Sequence, residues 1–399
     1  MNHPFPLLIL FLLGCGDASR AQLDRDASMA DTVAPVAVWM PKPIRARPDP
    51  RPAADSAVAH SAVADAILPD STGLDSLATD SAAPPKLPPL PKGIRRFAIS
   101  AADSARWPVA GPAPLPGAIL PQSRIVAYYG NVNSNRMGVL GALPRDSMLA
   151  MLEQTATEWA KADTTRSVMP ALHLIAVVAQ ANPGSGAKYR LRMGDSVINE
   201  VGKWAEERGW IMFLDVQPGK STVKAELEPL IPYLARPYVH LALDPEFAMT
   251  KGGLPGQRVG TLDATHVNYA SGLLARLVDS LKLPPKVLIV HRFKQGMLTN
   301  HDQIKLDPRV QLLIQMDGYG LSRHKQDTYR RYIVPEPVEY TGFKIFYKND
   351  RSPGARAPDY KPSCPREIFL TVGCGDDGLM TPEQVLAGLY PVPLYIQYQ

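Results

Sequence analysis

Only three cysteines, Cys15, Cys364 and Cys374, occur in 399 residues. That scarcity excludes a disulfide-dense scaffold, and no histidine or C-x-x-C accompanies the two late cysteines to make a zinc module. Aromatic residues amount to 7% and the formal charge is only +5. No run of Lys and Arg interleaves with the aromatics, which speaks against nucleic acid as a partner. The chain has no G-x-G-x-x-G turn for a dinucleotide and no G-x-S-x-G for a serine nucleophile. It also has no HxH or HExxH, so neither a metal nor a cofactor is expected. Its first apolar run, Pro4 to Gly14, would make a helix of only about 16 Å, whereas a bilayer needs roughly 20 residues.

That run fits the apolar core of a signal peptide, and it ends in Leu12-Leu13-Gly14-Cys15. The tetrapeptide resembles the lipobox of bacterial lipoproteins, although Met1-Asn2-His3 supplies no Lys or Arg before it. The resemblance implies a signal peptide over 1–14, cleavage before Cys15, and acyl chains on Cys15 that hold the protein to a membrane. The expected location is the cell envelope, facing outside the cytoplasm. In that compartment Cys364 and Cys374, ten residues apart in a Pro/Gly-rich loop, are the expected disulfide.

Proline, by contrast, is plentiful: forty residues, about twice the usual share of roughly 5%. Many fall between Gly16 and Gln122, in stretches such as ADSAVAHSAVADA and APPKLPPLPKG. Neither a 3.6- nor a 2-residue apolar period persists there, so burial cannot offset the entropy of ordering. Residues 15–122 are expected to form a disordered Pro/Ala/Ser-rich stalk, with a short piece near Phe97 or Trp107 packing on the domain beyond. Fully extended, such a stalk reaches on the order of 330 Å.

From Arg124 the pattern becomes short β-branched runs alternating with amphipathic stretches. Strands are expected at Arg124–Tyr129, Leu172–Gln180, Trp210–Asp215, Tyr238–Asp244, Lys286–His291, Val310–Asp317, Phe343–Lys348 and Pro393–Tyr398. Helices are expected at Arg145–Ala162, Arg190–Arg208, Thr222–Leu234, Leu262–Leu281 and Thr381–Leu389. Eight strands alternating with helices predict an α/β fold, a (β/α)₈ TIM-type barrel spanning 123–399. A doubly wound open sheet is the alternative.

Polar groups sit at nearly every strand end: Tyr129 and Asn131, Asp215 and Gln217, Asp244 and Glu246, His291, Asp317 and Tyr319. In such barrels the C-terminal ends of the strands form the active face. In His240-Leu-Ala-Leu-Asp244-Pro-Glu246, alternation puts His240, Ala242 and Asp244 on one face and the leucines on the other. Two close carboxylates resist joint ionisation, so one keeps its proton as an acid near neutral pH. The same segment also reads as a turn with an Asx-type cap.

The D-x-E ending resembles glycoside hydrolase barrels with an acid at the end of the fourth strand. It is similar to the last part of the chitinase-type DxxDxDxE signature, and Gln315-Met316-Asp317-Gly318-Tyr319 faintly echoes that group's sixth-strand motif. The earlier aspartates, the third-strand SxGG and a seventh-strand glutamate are absent. The resemblance implies Glu246 as acid/base, with Asp244, Asp215 and Asp317 as orienting or second carboxylates. Tyr129, Asn131, Gln217, His291 and Tyr319 are the expected substrate contacts. A monomeric enzyme acting on an extracytoplasmic polysaccharide is the leading expectation; a non-catalytic glycan- or protein-binding lipoprotein and a metal-dependent hydrolase are the alternatives.

Overall fold

The computed structural model describes residues 39–46, 100–107, 109–351 and 379–399. Cys15 and the expected disulfide of Cys364 and Cys374 lie outside the described residues. Eight parallel strands close into a barrel: β1 Ser123–Gly130, β2 Ser167–Ala179, β3 Ile211–Val216, β4 Val239–Leu243, β5 Lys286–Arg292, β6 Val310–Met316, β7 Tyr340–Ile345 and β8 Tyr395–Tyr398. Each strand pairs with the next, and β1 pairs with both β2 and β8, which shuts the ring. The fold is therefore a (β/α)₈ TIM-type barrel, and the open sheet does not form.

Helices cover the outside: α1 Arg145–Ala162, α2 Asp195–Arg208, α3 Ala264–Leu281, α4 Ser322–Tyr332 and α5 Pro382–Gly388. Between β3 and β4 the helical path is broken into Val223–Leu227, a 3₁₀ turn Glu228–Leu230 and Ile231–Leu234. Pro229 and Pro232 explain the breaks, since proline lacks the N–H that would continue the ladder. Among the described residues no helix is long and apolar enough to cross a membrane.

Further elements depart from the sequence expectation. Arg190–Arg192 is a short strand antiparallel to β2, and the helix begins only at Asp195 after Gly194. Arg190 and Arg192 point toward Glu226, at 2.8 and 2.7 Å, which rewards extended backbone over helix. The seventh strand sits three residues earlier than Phe343–Lys348, which puts the buried Lys344 near its C-terminal end and leaves Lys348 exposed beyond it. Helix α4 has no apolar stripe to announce it. Its buried side is Lys325, Gln326 and Tyr329, and Lys325 Nζ is satisfied by Asp350 and the Gly318 carbonyl, each at 2.8 Å.

The strands are buried on both faces, as parallel sheets require. Their outward side chains pack under the helices, while the interior is unusually polar. His173, Asp215, His240, His291, Gln311, Gln315 and Gln397 all lie inside, essentially inaccessible to solvent. Gln311 closes the floor: its amide accepts from the Ile119 and Leu120 N–H groups and donates to the Leu120 carbonyl at 2.7 Å.

Parts of the expected stalk pack on this same end. Ile44 exchanges two backbone hydrogen bonds with Val168, each 2.7 Å, and Lys42 N–H donates to the Gly209 carbonyl. Trp39 rests on Tyr238, and the Trp107 indole donates to the Val334 carbonyl at 2.8 Å. Val168, Gly209 and Tyr238 stand at or just before the starts of β2, β3 and β4, so residues 39–46 cap the N-terminal end of the barrel.

At the opposite end, the turn after β1 depends on Gly138. Its φ is +137°, and a Cβ there would meet the Tyr129 carbonyl oxygen at 2.2 Å. Gly138→Ala is expected to cost at least about 2 kcal/mol through strain and clash. Thermal unfolding monitored by circular dichroism should then show a Tm roughly 4–8 °C lower; an unchanged Tm would show that the turn relaxes freely.

Candidate active site

The side chains at the C-terminal mouth come from all eight strands and the turns that follow them. They enclose a pocket of about 520 Å³ lined by Tyr129, Gln217, Asp244, Glu246, Asp317 and Lys344, with Phe247, Phe293, Tyr319 and Phe346 around them. Three of the expected carboxylates thus share one cavity. Asp215 and His291 do not line it; both are fully buried beneath its floor. Asn131 also stays out of it. Its amide donates to the Ile175 carbonyl and accepts from Asn133 N–H, which makes it a turn residue rather than a substrate contact.

Asp244 closes β4 and does two things at once. One oxygen accepts from Glu246 N–H at 3.0 Å, capping the 3₁₀ turn Pro245–Phe247, and the other accepts from Gln217 Nε2 at 3.2 Å. The Asx cap is real, and it fixes where Glu246 emerges. Gln217 Nε2 also donates to the Tyr129 hydroxyl at 3.3 Å, while its Oε1 accepts from Ala179 N–H. Tyr319 stands on the rim, 69% exposed, edge-on to Phe346.

Under this layer lies a chain of alternating charges. The Lys344 ammonium sits 2.8 Å from one oxygen of Asp317 and 4.0 Å above the Tyr129 ring. The other Asp317 oxygen takes His291 Nδ1 at 3.0 Å. His291 Nε2 then faces Asp215 at 3.6 Å, and His173 Nε2 faces the same carboxylate oxygen at 3.8 Å.

The surroundings drive these groups apart in proton affinity. Burial raises Asp317, but Lys344 and His291 outweigh it and hold the carboxyl at about 2. Burial would strip the proton from His291, yet Asp215 and Asp317 lift it to about 9. Glu246 has no such cation in contact. Burial, reinforced by the charge of Asp317, pushes it up to about 7. Burial lifts Asp244 well above the carboxylate range and raises Asp215 too. His173 is held well below its ordinary value by burial, then by His291 and Lys344.

Near neutral pH, of the three carboxyls in the pocket, Asp317 is ionised while Asp244 and Glu246 are both pushed toward the protonated form. Glu246, poised near 7, is the one that can both give up and regain its proton there. Opposite assignments of this kind mark acid and base roles. No protein-family model matches the chain, and no curated protein matches it, so fold and site geometry carry the functional reading.

Sequence reasoning missed His173, Lys344 and Tyr395. His173 lies in the middle of an apolar strand rather than at its end, though its alternation with Ala171 and Ile175 places it on the inner face. Lys344 was hidden by the three-residue shift of β7. Tyr395, at the start of β8, bonds His173 Nδ1 at 2.5 Å.

Proposed function

We propose that this chain is an exported lipoprotein whose barrel hydrolyses glycosidic bonds of an extracytoplasmic polysaccharide, with Glu246 as general acid. The observation that carries this reading is the pairing of Glu246, poised near 7, with ionised Asp317 in one pocket at the C-terminal face. Glu246 gives its proton to the glycosidic oxygen as the bond to the anomeric carbon breaks. The negative charge of Asp317 stabilises the oxocarbenium-like positive charge that develops. A water then adds to the anomeric carbon and releases its proton to a carboxylate. Gln217 and Asp244 orient Glu246 and Tyr129, and the exposed ring of Tyr319 offers a stacking face for a sugar.

Reducing-sugar release from a panel of cell-wall and surface polysaccharides tests this reading. Turnover on one class is the expected result; an inert wild-type protein across the panel would sink it. The membrane attachment has its own check. Cys15→Ala is expected to abolish incorporation of labelled palmitate and to release the protein from the membrane fraction. Unchanged labelling would exclude Cys15 as the anchor.

A further inference from the structure

Within the barrel, directly below the pocket, three polar side chains converge without satisfying one another. His173 Nε2, His291 Nε2 and both oxygens of Asp215 make no hydrogen bond of good geometry, although each residue is 0% exposed; the Tyr129 hydroxyl is close enough to Asp215 to lower its proton affinity. Buried polar atoms are rarely left so. The two imidazole nitrogens stand 3.8 and 3.6 Å from Asp215 Oδ2, beyond hydrogen-bond reach. One donor atom from each residue can be chosen so that all lie within 4.8 Å of one another. Ligands bound at about 2.0–2.2 Å to one tetrahedral ion stand roughly 3.3 Å apart, so the two His–Asp separations need to close by about 0.3–0.5 Å and the imidazole–imidazole separation by at most about 1.5 Å.

The atoms behind the donors have the arrangement that metal-binding histidines require. His291 Nδ1 is bound to the Asp317 carboxylate at 3.0 Å, which fixes its ring and turns Nε2 toward Asp215. His173 Nδ1 meets the Tyr395 hydroxyl at 2.5 Å and the Gln397 amide at 2.9 Å. As placed, Nδ1 accepts from the Gln397 amide, so a metal on Nε2 requires the His173 proton to move to Nδ1, donated to Tyr395, with the Gln397 amide turned to present its oxygen. It also requires His291 to release its Nε2 proton. A carboxylate or hydroxyl behind each imidazole orients a metal-bound histidine and raises its basicity.

We propose that His173 Nε2, His291 Nε2 and the Asp215 carboxylate bind one divalent first-row transition-metal ion of the zinc class. Two imidazoles and one carboxylate suit zinc or cobalt and disfavour calcium and magnesium, which take oxygen ligands. A bidentate Asp215 completes four donors. None of the three residues lines the pocket, so the ion is structural: it ties β2, β3 and β5 together under the site. The binding is separate from the hydrolase reading, because its readout is metal and not turnover.

The full chain, produced in zinc-replete medium and analysed by mass spectrometry for metals, is expected to carry about one ion per chain. Protein produced in cobalt-supplemented medium should show the visible d–d absorption of a four-coordinate cobalt ion. Asp215→Asn and His173→Gln should each lose at least tenfold in occupancy. Asp317→Asn, which removes only the carboxylate behind His291, should lower affinity about 10–100-fold. Wild-type protein with less than a tenth of an ion per chain and no cobalt spectrum would overturn the proposal. So would full occupancy in both ligand variants. If a variant fails to fold, the wild-type metal content and cobalt spectrum decide by themselves.

Discussion

Glu246→Gln is expected to lower kcat/KM on a hydrolysed polysaccharide by about 10²–10⁴-fold, the usual contribution of a positioned general acid. The amide keeps the shape of the side chain but has no proton of suitable acidity to give. The Asp244 cap is preserved, because it is made by the backbone N–H of residue 246. The pH profile should carry the same signature. Glu246 works protonated, and burial together with the Asp317 charge raises it to about 7. Activity is thus present below that value and falls about tenfold per pH unit above it. Asp317, held at about 2, stays ionised throughout and contributes no limb above pH 4. Initial rates between pH 4 and 9 for both proteins check this. A variant as active as the wild type, or a wild-type profile flat across neutrality, would remove Glu246 from the mechanism.

Trp159→Ala should produce the largest loss of stability. Trp159 lies on α1, fully buried, over the seam where β8 meets β1. Its indole donates to the Tyr398 hydroxyl at 2.9 Å, and the buried Arg124 guanidinium lies 5.3 Å from its ring centre. One side chain thereby joins the first strand, the last strand and the first helix. Strand β8 has only four residues to hold the ring shut, so packing must supply what its short ladder does not. Truncating a buried tryptophan costs about 3–5 kcal/mol, which for a domain of this size lowers Tm by roughly 8–15 °C. Trp159→Phe keeps most of the ring, loses the hydrogen bond, and should cost only about 1–2 kcal/mol. Urea titration of both variants checks the order; equal losses would show that the hydrogen bond, rather than the volume, secures the seam.

Much of the barrel is legible in the sequence because parallel strands buried on both faces read as β-branched runs. Val287 to His291 and Val310 to Met316 announce themselves that way, and alternation turns His240 inward as the structure places it. Elsewhere tertiary pairing overrides the local signal. Pro170 interrupts the run that becomes β2, yet the strand extends back to Ser167 because β1 and Ile44 pair with it there. Helix α4 is invisible because its buried side is a lysine, a glutamine and a tyrosine, whose partners lie far off in sequence. The pocket was half legible. Carboxylates at strand ends can be found by position, but whether each reaches the cavity depends on depth. Asp215 ends on the layer below, and Asp244 and Glu246 on the layer above.

The clasp of residues 39–46 on the barrel floor sets a length. Trp39 meets Tyr238 at the end opposite the pocket. If Cys15 carries the lipid proposed above, residues 16–38 separate it from this seated segment, a span of at most about 80 Å.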